Sequence, residues 1–63
     1  MTDEYARFIR KDAIAAEKAL FELRAALTGT GIAKYDRQAK AIEKMQDRCI
    51  DIIIDINNYL RED

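Results

Sequence analysis

From Ala6 onward, apolar positions recur in alternating steps of three and four residues: Ala6, Ile9, Ala13, Ala16, Leu20, Leu23 and Leu27. That spacing is the heptad seam of a helix packed along a partner. A second stripe runs through Tyr35, Ala39, Ile42, Gln46, Cys49, Ile53, Ile56 and Leu60. Between the stripes lies Thr28-Gly29-Thr30-Gly31, which holds both glycines of a chain without proline. One turn between two helices follows, with helices predicted at about 3–28 and 31–61. At ~1.5 Å per residue they would be about 39 and 46 Å long. Thr2 is placed to cap the first helix, Gly29 to close it and Thr30 to cap the second.

The predicted fold is all-α: an antiparallel two-helix hairpin, a single domain over 1–63, dimerising into a four-helix bundle. Ala13 and Ala16 let helices approach closely where Ile42 and Ile53 come from the other side.

The apolar surface is wider than one helix–helix contact covers. On a wheel of about 100° per residue, Cys49, Ile50, Ile52, Ile53, Ile54, Ile56, Tyr59 and Leu60 occupy well over half the circumference of the second helix. Ile14 and Phe21, seven residues apart, form a second stripe on the first helix. Apolar surface of this kind marks a protein interface, so Ile14, Phe21, Ile50 and Ile54 are the candidate partner interface. A two-fold dimer of hairpins is the simplest way to bury it. The β-branched run Ile50-Asp51-Ile52-Ile53-Ile54-Asp55-Ile56 could pass as a strand. A lone strand would have no partner, however, and helical signals surround it, so helix is predicted there.

Sixty-three residues make one small domain, which buries only about 60% of the surface its unfolded chain exposes. Disulfides, metals or oligomerisation usually supply the missing stability. With one cysteine and no histidine, oligomerisation is what remains. The chain is 49% hydrophobic and 37% charged, a folded profile rather than a disordered one. No run approaches the roughly 18 apolar residues a membrane span needs, and Met1-Thr2-Asp3-Glu4 lacks the order of a signal peptide; a cytoplasmic location is expected. A net charge of −1 favours neither nucleic acid nor anionic membrane.

Catalysis has little to work with: there is no histidine, and Cys49 falls on the core stripe, where a thiol behaves as a small hydrophobe. No catalytic, cofactor-binding or metal residue is expected, and no cofactor. Asp51 and Asp55 stand four apart but face outward beside Arg48, as a solvated surface. Gln46 occupies a seam position. Either it fixes register from within the core, or Met45 takes the core and Gln46 rotates to the edge. Arg37, Lys40, Lys44 and Arg48 form a short basic strip that could meet RNA phosphates or an acidic partner helix; flanked by Asp36, Glu43 and Asp47, it is read instead as a solvated face with ion pairing along the helix.

The run Ala6-Arg7-Phe8-Ile9-Arg10, followed by the Leu20, Glu22 and Leu23 spacing, resembles the first helix of the plasmid RNA one modulator (Rop) family, over about a third of the chain. Those are short homodimeric helical hairpins that form four-helix bundles. The resemblance implies RNA contact through Phe8, stacking on kissing loops, with Arg7 beside it and Arg10 close by. Glu4, Asp12 and Ala19 stand where that family offers neutral polar or basic groups. A second likeness runs from Ala19-Leu20 through Leu23, the glycine turn and Ala33-Lys34-Tyr35. It resembles the helical-hairpin co-chaperones of type III secretion needle subunits and implies a heterodimer. The expected function is a small non-enzymatic regulator or adaptor acting through helix–helix contacts. The alternatives are an RNA-binding homodimer and a secretion co-chaperone.

Overall fold

The computed structural model describes residues 1–61; the last two residues of the expected 1–63 domain lie outside the described residues. Thr2 sits in extended backbone, and its hydroxyl accepts a hydrogen bond from the Tyr5 N–H at 3.1 Å. Asp3 and Glu4 then lie at the positive end of the helix they open. Helix α1 spans Asp3–Leu27 and helix α2 spans Ala33–Leu60. The isoleucine-rich run around Ile53 is helical throughout. No described helix is long and apolar enough to cross a membrane.

The turn is longer than its sequence suggests. Thr28 ends α1 by donating both its N–H and its hydroxyl to the Arg24 carbonyl, at 2.9 and 2.8 Å. Gly29 and Gly31 both take left-handed backbone, at φ +82° and +75°. A residue with positive φ cannot belong to a right-handed helix, so α2 does not begin at Gly31. Its cap is Ile32 rather than Thr30, and the Ile32 carbonyl accepts from Tyr35 and Asp36. Thr30 instead holds the turn, its hydroxyl accepting from the Ile32 N–H at 3.2 Å.

Polar ties among the described residues show the antiparallel register of the two helices. Arg10 Nη1 donates to Asn57 Oδ1 at 2.8 Å, Gln46 Nε2 donates to Glu17 Oε1 at 3.2 Å, and Arg24 Nη1 lies 4.0 Å from Glu43 Oε2. The numbers in these pairs add to 67, 63 and 67, so each α1 residue lies level with the α2 residue that brings the sum to about 65. At the open end the Tyr59 hydroxyl also donates to the Met1 carbonyl.

The seam therefore differs from the apolar reading of α1. Ala6, Ala13, Ala39, Ile42 and Ile56 are buried, and Ile9, Leu20, Leu27, Cys49, Ile53 and Leu60 are half-buried. Ala16 and Leu23 are exposed, and Glu17 and Arg24 are half-buried in their stead. A heptad leaves two adjacent candidates at each such step, and here α2 offers Gln46 and Glu43 as partners for the polar ones. Tyr35 is exposed too, because it lies level with Thr30, beyond the end of α1.

The hairpin measures 45 × 18 × 14 Å and exposes 4950 Å². A compact protein of 7.3 kDa would expose about 4200 Å². Among the described residues no large side chain is fully buried, so two helices alone make a slab without a thick core.

Candidate functional site

An antiparallel helix pair has a local two-fold axis perpendicular to the plane of the helices. Residues one place after a seam residue therefore fall on one broad face of the slab in both helices, and residues one place before it fall on the other. This sorts most of the large exposed apolar side chains.

Ile14, Phe21, Ile50 and Ile54 follow Ala13, Leu20, Cys49 and Ile53. They share the first broad face and are between 42% and 53% exposed. Ile14 lies level with residue 51, between Ile50 and Ile54. Phe21 sits nearer the turn, with the Arg24 guanidinium 5.7 Å from its ring centre. Beside it a cleft of about 490 Å³ opens between the helices, lined by Arg24, Thr28, Asp36, Ala39, Lys40 and Glu43.

The second broad face was not singled out by the sequence. Tyr5, Leu23, Met45, Ile52 and Tyr59 precede Ala6, Arg24, Gln46, Ile53 and Leu60, and all are exposed. Ala16, Ala19 and Ala41 lie among them, also exposed. The clue was the choice of seam: a line through Glu17 and Arg24 turns Ala16 and Leu23 outward.

Gln46 is 5% exposed, so of the two placements open to it the core one holds, and Met45 lies outside at 52%. Its amide nitrogen binds Glu17, and its amide oxygen is buried without a partner. Cys49 is a free, half-buried thiol.

The residues of the RNA-type resemblance separate. Phe8 is exposed and stacks on Tyr5, ring centres 6.1 Å apart and planes 24° from parallel; Thr2 and Glu4 complete a shallow cleft there. Arg7 is exposed. Arg10 is half-buried and turned into the seam toward Asn57, away from Phe8.

Comparison of the chain with models of protein families, with curated proteins and with solved structures gave no significant match.

Proposed function

We propose that the chain is a non-enzymatic helix–helix interaction module, a small cytoplasmic regulator or adaptor whose working form has further helices against its broad faces. The observation that carries this is the row of large apolar side chains on both sides of one thin slab. Ile14, Phe21, Ile50 and Ile54 lie on one side, and Tyr5, Leu23, Met45, Ile52 and Tyr59 on the other. Exposed large apolar side chains grouped in this way mark a protein interface, and two opposed faces let one chain join two partners. Association stabilises by mass action. The thermal midpoint followed by circular dichroism should therefore rise with protein concentration over a hundredfold range. A midpoint that stays constant, with full helicity at the lowest concentration, removes the basis of the proposal.

A second reading, an RNA-binding bundle of the Rop type, rests on the exposed Tyr5–Phe8 stack, since aromatic faces accept unpaired bases. Titration with paired stem-loop RNAs at low and moderate salt separates stacking from simple phosphate attraction, which collapses as salt rises. The co-chaperone alternative would fill one broad face with a different chain and give a heterodimer.

A further inference from the structure

Resting on the interaction-module reading, we infer that the first broad face is occupied by a second copy of the chain, with both turns at the same end of the resulting four-helix bundle. Area supports a dimer through one face. A 45 × 18 Å face presents roughly 800 Å², so two copies face to face would bury about 1600 Å² in total, the usual size of a stable interface.

Charge selects the arrangement. Along the α1 side of this face, the residues that follow the seam are Arg7, Lys11, Ile14, Lys18, Phe21 and Ala25, with three cations and no carboxylate. Along the α2 side Asp36, Glu43 and Asp47 stand against Lys40. A two-fold axis across the helices would lay α1 on α1 of the second copy, cation strip against cation strip. An axis parallel to the helices lays α1 on α2, which removes the cation strip from facing itself and sets Lys18 against a carboxylate; neighbouring helices are antiparallel under either axis. The register of the hairpin then carries across the interface. Lys18 comes level with Asp47 of the second copy, and Ile14 lies between its Ile50 and Ile54. Phe21 reaches the cleft beside its Ala39 and Glu43. Each copy offers one Phe21 and one cleft, so the contact is self-complementary and closes at two.

Sedimentation equilibrium on Lys18→Glu, Asp47→Lys and their mixture tests this, with circular dichroism to confirm helicity. Each variant alone places like charges at both copies of the pair and should dimerise about tenfold more weakly. Mixed, they restore both pairs between chains, and the affinity should return to within about twofold of the original. Phe21→Ala should weaken the dimer by ~30-fold or more. If the charge variants and Phe21→Ala leave the dimer intact while Ile52→Glu dissociates it, the second face is the self-contact and the inference fails alone. If the single charge variants match the original and their mixture binds more tightly, α1 lies on α1 and the inference is likewise overturned. A fully helical monomer at every concentration overturns the underlying reading as well.

Discussion

Gln46 of α2 lies at the centre of the hairpin with its amide nitrogen 3.2 Å from the Glu17 carboxylate of α1 and its amide oxygen buried without a partner. A buried acceptor left unsatisfied costs about 1–3 kcal/mol, so the pair sets register at the expense of stability. Gln46→Leu should raise stability by about 1 kcal/mol, or ~4–8 °C in thermal midpoint at fixed protein concentration. Glu17→Ala strands both ends of the buried amide and should lower it by about 1–3 kcal/mol. Thermal melts of the two variants should move in opposite directions; a shared direction would contradict the assignment.

The two outer ties differ in worth. Arg10 and Asn57 are both half-buried, and their charge-assisted bond is short at 2.8 Å. Arg24 and Glu43 are 4.0 Å apart with the Glu43 side chain 58% exposed. Asn57→Ala should cost about 1–2 kcal/mol, whereas Glu43→Ala should change stability by less than about 0.5 kcal/mol. Urea titration of both variants measures the difference, and equal losses would refute it.

Left-handed backbone gives a second pair of opposite signs. Gly31 holds φ +75° in open space, so Gly31→Ala loses stability through the backbone alone, by about 1 kcal/mol. Arg61 closes α2 at φ +57° and carries a Cβ there, so Arg61→Gly should gain a similar amount. Both are read as shifts in thermal midpoint at one protein concentration. A gain for Gly31→Ala would mean the turn does not require positive φ.

Much of this architecture is legible in the residues. The paired glycines without proline give one turn, and Ala6, Ala13, Leu20 and Leu27 repeat every seven residues along the true seam. Ile14, Phe21, Ile50 and Ile54 are exposed on the hairpin. The sequence hides the intervening step, because hydrophobicity prefers Ala16 and Leu23 to Glu17 and Arg24. A polar residue enters a seam only when the other helix supplies its partner, and Gln46 and Glu43 become partners only once the register is known. Misplacing that step by one residue rotates the seam by about 100° and conceals the second face, with Met45 and Ile52 lost among the isoleucines of α2. Gly31 misleads similarly, since its positive φ is invisible until the turn is built.

The most direct measurement is the solution mass by light scattering over a range of protein concentrations, with circular dichroism on the same samples. A helical species near twice 7.3 kDa, dissociating and losing helicity together on dilution, is expected if the hairpin needs further helices against its faces. A fully helical species that stays at 7.3 kDa at every concentration would contradict it.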